Sequence, residues 1–211
     1  TSEKYYLEWK EEGGIGKNTL DKHLSLICEK HRLLELIHDF VVFDSGIKKI
    51  CRQNQYFGIK NAQDYISNHQ GGIIWHTQGS GKSLTMVWLA KWIRENVKDS
   101  RVLLITDRTE LDEQIEKVFR GVDEDIYRTS SGADLVQKLN RTEQWLICSL
   151  VHKFGSSNND EASNEDVDKF LDEIKKNILS NFEAKGNIYV FVDECHRTQS
   201  GKLHKAMKNI L

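Results

Sequence analysis

His76-Thr77-Gln78-Gly79-Ser80-Gly81-Lys82-Ser83 is the stretch on which the fold turns. Before it lies a short apolar run, Ile73-Ile74-Trp75, and after it a segment from Ser83 to Glu95 that is apolar nearly all round. A short run of that kind is a buried-strand candidate, and the longer one reads as a buried helix. A glycine-rich loop between a strand and a helix is the context of a phosphate-binding P-loop. Gly79 and Gly81 let successive backbone N–H groups turn inward onto a polyphosphate, and the helix begun at Lys82 adds its positive end. Lys82 is then the point charge for the outer phosphates, and Ser83 offers a hydroxyl to Mg2+. The first glycine of the usual pattern is replaced here by His76, read as structural, and Thr77, Gln78 and Ser80 complete the loop. The plain alternative is a glycine-rich turn that only caps a helix.

Outward from the loop, strands and helices alternate. Val102 to Thr106 reads as a strand, and Thr109 is placed to cap a helix whose core stripe is Leu111, Ile115, Val118 and Phe119. Further strands are expected at Trp145 to Ser149 and Asn187 to Val192, the latter an apolar buried strand. The polar run 156–166 reads as a solvated loop, and Val167, Phe170, Leu171, Ile174, Ile178 and Leu179 recur at helical spacing behind it. This alternation predicts an α/β fold with a mostly parallel sheet flanked by helices. Upstream, Thr19 to about Phe43 reads as helix passing into an extended Val41-Val42-Phe43, and Tyr56 to Asn68 as a second helix.

A phosphate cradle binds a nucleotide without hydrolysing it, so carboxylates are expected at a neighbouring strand end. The run Ile188-Tyr189-Val190-Phe191-Val192 leads directly into Asp193-Glu194-Cys195-His196. Asp193 can hold Mg2+ while Glu194 orients or deprotonates the attacking water. An ordinary solvated acidic pair is the competing reading.

Composition describes an ordinary soluble globular protein rather than a disordered or membrane one. Over 211 residues, 38% are hydrophobic and 29% charged, the range of ordinary globular domains. A net charge of −2 excludes coating nucleic acid by charge alone. Four scattered cysteines without paired spacing fit reduced thiols of a cytoplasm, and Cys28-x-x-His31 lacks the second half of a zinc site. Apolar runs fall short of the roughly 20 residues needed to span a bilayer. The absence of proline and the start at Thr1 point to a piece of a longer chain.

A family resemblance rests on Arg52-Gln53-Asn54-Gln55-Tyr56-Phe57, Trp75 through Ser83, Ile105 through Gln114, Ser149-Leu150-Val151-His152-Lys153-Phe154 and Val192 through Arg197. Together these stretches resemble the motor, or R, subunit of type I restriction enzymes, within the second superfamily of helicases and translocases. The resemblance implies the first RecA-like lobe of an ATP- and Mg2+-dependent translocase of double-stranded DNA, working with modification and specificity subunits. It implies that Gln55, with Arg52 nearby, recognises adenine, and that Arg108, Thr109 and Lys153 track DNA phosphates. It also implies that His196 couples the hydrolysis site to neighbouring motifs. An ordinary helix-start role for Gln55, and surface or salt-bridge roles for Arg108 and Lys153, stay open. Residues 1–49 are expected to be a helical linker and 50–211 an incomplete first motor lobe. A second motor lobe and a nuclease domain would lie outside this sequence, and Glu8-Trp9-Lys10 reads as a coincidental Glu-x-Lys. A generic superfamily helicase, or a nucleotide-switched binding module without motor activity, are the alternative functions.

Overall fold

The computed structural model describes residues 9, 11–77, 79–106, 109–151, 164–178, 182–193 and 207. The chain divides into two compact units, Thr1–Trp92 and Ile93–Leu211.

The first unit contains α1 (Thr19–Ile27), α2 (Lys30–Asp39), β1 (Val41–Asp44), β2 (Ile47–Ile50), α3 (Gln53–Ser67) and most of α4 (Lys82–Asn96). The single upstream helix expected from Thr19 is two helices. Cys28 N–H closes α1 on the Leu24 carbonyl, and the Glu29 carboxylate caps α2 by accepting from the Arg32 amide at 2.9 Å. Val41-Val42-Phe43 is extended as expected, but as one arm of an antiparallel hairpin with β2, whose Ile47–Ile50 strand was not anticipated. Ser45 and Gly46 at its tip both take positive φ, 52° and 79°, which a two-residue turn of the I′ kind requires.

Aromatic and charged groups tie the pieces of this unit. Arg32 on α2 makes a two-pronged ion pair with Glu11, at 2.6 and 3.1 Å. Its guanidinium lies 5.5 Å from the Tyr56 ring and 5.9 Å from those of Trp9 and Phe57. Glu35, one turn along α2, accepts from the Tyr56 hydroxyl at 2.7 Å and the Lys60 ammonium at 2.6 Å. Phe40 packs on Tyr56 and Trp88, so α4 shares the same core. Val87, Trp88, Leu89 and Ala90 are buried, as the all-round apolar reading of this helix predicts.

The second unit is a four-stranded sheet built from β3 (Ser100–Thr106), β4 (Tyr127–Arg128), β5 (Leu146–Leu150) and β6 (Asn187–Val192), in the order β4-β5-β3-β6. Every pairing in it is parallel. The connecting helices are α5 (Thr109–Gly121), α6 (Gly132–Leu139) and α7 (Asn164–Asn177). Leu103 and Ile105 of β3 and Ile147 of β5 pack with Leu135, Val136 and Leu139 of α6 and with Phe170, Leu171 and Ile174 of α7. Alternation along β3 sends Val102 and Leu104 to the opposite face, and they are buried too. Ile115 and Phe119 of the expected α5 stripe are buried and Val118 is partly so, while the side chain of Leu111 lies outside the described residues. The polar run 156–166 falls outside them as far as 163, and 164–166 open α7.

Two expectations about strands fail. Ile73-Ile74-Trp75 is neither strand nor buried: Ile73 is 75% and Trp75 80% exposed. Three apolar residues carry no strand preference of their own until a ladder partner takes up their backbone groups. β6 is half-buried rather than buried, since among the described strands it pairs with β3 alone. β4 and α6 were not anticipated; Ser131 caps α6 by accepting from the Asp134 amide.

Arg101 secures the entry side of this sheet. Only 4% exposed, it donates to the carbonyls of Gln144, Leu139, Lys185 and Lys138 at 2.7–3.0 Å. It thereby holds the end of α6 and the approaches to β5 and β6 with one planar group. Burial pushes its guanidinium pKa down, but arginine is so strong a base that the charge stays in place. Arg101→Met removes four hydrogen bonds and takes this donor from the Gln144 and Lys185 carbonyls, while those of Leu139 and Lys138 keep a backbone amide, so chemical denaturation is expected to show a loss of about 3 kcal/mol. In the first unit, desolvation pushes the Glu11 carboxyl up, but hydrogen bonds from Arg32 and Trp9 and the Arg32 charge outweigh it and hold the pKa below the ordinary 4.5. A depressed acid stabilises the fold fully above its unfolded value and loses that contribution as pH falls through the folded one. The stability gap between wild type and Glu11→Gln is therefore expected to be widest above pH 4.5 and to close in more acidic buffer.

Candidate nucleotide site

The P-loop is built on positions that only glycine fills without strain. Gly79 and Gly81 take φ of 75° and 88°, in the left-handed region. Between them the Ser80 hydroxyl donates to the Thr77 carbonyl at 2.6 Å and the Ser80 amide to the same oxygen at 3.2 Å, closing a tight turn. α4 begins at Lys82, so Lys82 and Ser83 occupy its first positions, both partly buried. Amides of a helix start point out along the axis and are without intrahelical partners, which is what an anion at this place uses. Gln78 lies outside the described residues.

Gln55 sits against this loop. It is 3% exposed and both ends of its amide are engaged. Its Oε1 accepts from the Arg52 amide at 2.8 Å, as part of the capping box that opens α3. Its Nε2 donates to the Gly81 carbonyl at 2.9 Å. That carbonyl also accepts from the Thr85 amide at 3.1 Å and the Thr85 hydroxyl at 3.2 Å. The helix-start reading of Gln55 is the one the contacts display, and the same side chain also touches the loop. Each end of the amide has one bond here and capacity for a second.

Arg52, Asn54, Trp75, His76, Thr77, Gly79 and Ser80 line an open cleft of about 440 Å³, within the size range of small-molecule sites. Asn54 and Trp75 were not singled out from sequence. Asn54 belongs to the same helix-opening turn as Arg52 and Gln55, a signal that was available. Trp75 was read as a buried strand residue, although it opens one of the stretches that carry the family resemblance. His76 is partly buried, with its Nε2 against Gly58 and its Nδ1 buried without a hydrogen-bond partner among the described residues.

The acidic end belongs to the second unit. Asp193 follows β6 directly, is partly buried, and its amide donates to the Ile105 carbonyl of β3 at 3.0 Å. It stands at the carboxyl edge of the parallel sheet, the edge at which open α/β sheets bind ligands. Glu194, His196, Arg108 and Lys153 lie outside the described residues. Thr109 is the first residue of α5 rather than the residue before it, and its side chain is not among those described. Among the described residues, no helix is long and apolar enough to cross a membrane.

Residues 54–211 match the family described as SWI2/SNF2 ATPase. A putative type I restriction enzyme MjaIXP endonuclease subunit of Methanocaldococcus jannaschii is 30% identical over 205 residues, covering 92% of this chain and 18% of that protein. The type I restriction enzyme HindI endonuclease subunit of Haemophilus influenzae is 31% identical over 213 residues, covering 88% of this chain and 18% of its own length. The SsaAORF53P endonuclease subunit of Staphylococcus saprophyticus is 26% identical, with 98% of this chain and 21% of that protein covered. The chain spans about a fifth of the length of these relatives. With a P-loop at the start of α4, a parallel sheet flanked by helices and an acid at its carboxyl edge, the chain belongs to the SWI2/SNF2 ATPase family, as a RecA-like motor lobe similar to those of type I restriction endonuclease subunits.

Proposed function

We propose that this chain is the first motor lobe of the R subunit of a type I restriction–modification enzyme. In this reading it hydrolyses ATP to drive translocation of double-stranded DNA, and a nuclease domain outside the chain then cuts. The observation that carries the reading is the Gly79–Ser83 loop, held at the start of α4 beside a cleft, in a chain whose relatives are endonuclease subunits of such enzymes. The modification and specificity subunits, a second motor lobe and the cytoplasm complete the proposal.

Each residue then has a task. Backbone amides from Gly79 to Ser83 receive the phosphates, and Lys82 balances the charge on the outer ones. The half-buried Ser83 and the strand-end Asp193 are hard oxygen donors suited to Mg2+. When bound, that ion neutralises charge on the β- and γ-phosphates. Glu194 orients the attacking water and takes its proton. Gln55, together with Arg52, reads adenine, because an amide pairs with both N6 and N7. Arg108, Thr109 and Lys153 contact the DNA backbone, where phosphate contacts position a strand without reading its sequence. His196 couples hydrolysis to those contacts.

Calorimetry with MgATP is expected to show Lys82→Ala weakening binding by roughly tenfold or more, the worth of one charge-assisted contact. Glu194→Gln is expected to bind as wild type while losing DNA-stimulated hydrolysis; equal affinity in wild type and Lys82→Ala would end the assignment of the loop. The two glycines separate strain from contact. An Ala at Gly79 meets nothing within 4 Å and bears only the cost of its positive φ, on the order of 1 kcal/mol. An Ala at Gly81 bears that cost and places its Cβ 2.5 Å from the Gln55 amide nitrogen, which must let go of the Gly81 carbonyl. Thermal melts and MgATP titrations are therefore expected to rank Gly81→Ala clearly below Gly79→Ala.

A further inference from the structure

Upstream of the cleft, a cluster of buried and half-buried groups has no task in the chemistry above. Glu11, Arg32 and Glu35 do not line the cleft, nor does Tyr56. Yet they converge on the first turn of α3, where Gln55 is the immediate neighbour of Tyr56. Arg32 lies over the Tyr56 and Phe57 rings and is held by both oxygens of Glu11, which also accepts from the Trp9 indole at 2.7 Å. From the same helix, Glu35 takes the Tyr56 hydroxyl. The phenol is pushed up to about 12, by desolvation first and then by Glu35, so it stays a donor across the physiological range.

We propose that this Glu11–Arg32–Tyr56–Glu35 network is a positioning device for the P-loop. Arg32 and Glu35 set the first turn of α3, that turn sets the Gln55 amide, and the amide sets the Gly81 carbonyl immediately before Lys82. The inference rests on the cleft being the nucleotide site and deepens that reading: affinity for a nucleoside triphosphate depends on residues that never touch it.

Three features carry it. A helix turn moves as a unit, so a shift at Tyr56 reaches Gln55 through one peptide bond. The link onward is a hydrogen bond of 2.9 Å, and such bonds weaken steeply once tenths of an ångström are added or the angle falls. Gln55 is also 3% exposed with both ends of its amide engaged, so it has little freedom to compensate by choosing another rotamer. A consequence is that the segment around Trp9–Glu11 is wired to the loop, and whatever pulls on that segment is felt at the phosphates.

The test is a double-mutant cycle on the full chain, with MgATP affinity read by calorimetry at a temperature where every variant is folded. Arg32→Met is expected to weaken MgATP by about fivefold in the wild-type background, the lower end of ordinary site-to-site coupling. It is expected to add nothing when Gln55→Ala is already present, because the connection has then been cut. Tyr56→Phe removes only the hydroxyl that Glu35 accepts and is expected to weaken binding in the same Gln55-dependent way, so the test survives if Arg32→Met does not fold. An unchanged affinity in both variants, or an equal loss with and without Gln55, overturns the proposal. Lys82→Ala run alongside separates the two readings. If it loses MgATP while Arg32→Met and Tyr56→Phe do not, the network is merely structural; if it too binds normally, the cleft itself has been misassigned.

Discussion

The carbonyl of Gly81 is the point on which the candidate site depends. Three donors meet it: the Gln55 amide from α3, and the Thr85 amide and hydroxyl from the next turn of α4. A P-loop must keep its amides pointing inward without large side chains to hold them, so its geometry has to be fixed through its carbonyls and its φ angles. Left-handed glycines at 79 and 81 give the curvature, and the shared oxygen at 81 joins that curvature to two helices. The Ser80-to-Thr77 turn closes the other side of the loop.

The second unit meets a different constraint. Parallel strands cannot be joined by tight turns, so each returns through a helix and every strand start lies at the end of a long connection. Arg101 gathers several of these starts around one guanidinium. Its planar fork of donors suits that task better than a lysine ammonium would, because the acceptors lie in different directions. Hydrogen bonds to carbonyls offset the cost of burying the charge, with no carboxylate paired to it among the described residues. A tied entry edge leaves the carboxyl edge, where Asp193 follows β6, available for chemistry.

Legibility in the sequence followed how local each signal was. The loop from His76 to Ser83 was readable because glycine pattern, Lys-Ser pair and the following helix are all adjacent in the chain. So was the helix from Lys82, and so were β3, β5 and β6, whose apolar runs are long enough to stand out. Ile73-Ile74-Trp75 misled because a short apolar run looks the same whether or not a ladder partner takes it up. β4 has only Tyr127 and Arg128, too few for any period, and in β2 two adjacent lysines separate Ile47 from Ile50, which breaks the alternation of a strand. The break at Cys28 was hidden because a helix cap by Glu29 is a less common choice than Ser, Thr, Asp or Asn. In the candidate site, Arg52 and Gln55 were found through resemblance, whereas the grip of Gln55 on Gly81 spans 26 residues and no local pattern encodes it.

That last contact bears on how a motor lobe of this kind can be controlled. A glutamine that only read adenine would report on which base is present. A glutamine that caps its own helix and holds the loop carbonyl ties the geometry of the loop to the first turn of α3. Each of those bonds is worth on the order of 1 kcal/mol net, so little energy holds the link while its geometric effect is large. Small forces elsewhere are then enough to shift it. The cluster of Trp9, Glu11, Arg32, Tyr56 and Glu35 packs on the same turn of α3, and its ion pairs and rings resist rotation of the turn that carries Gln55. On the proposal made above, the residues upstream of the loop belong to the mechanics of the nucleotide site.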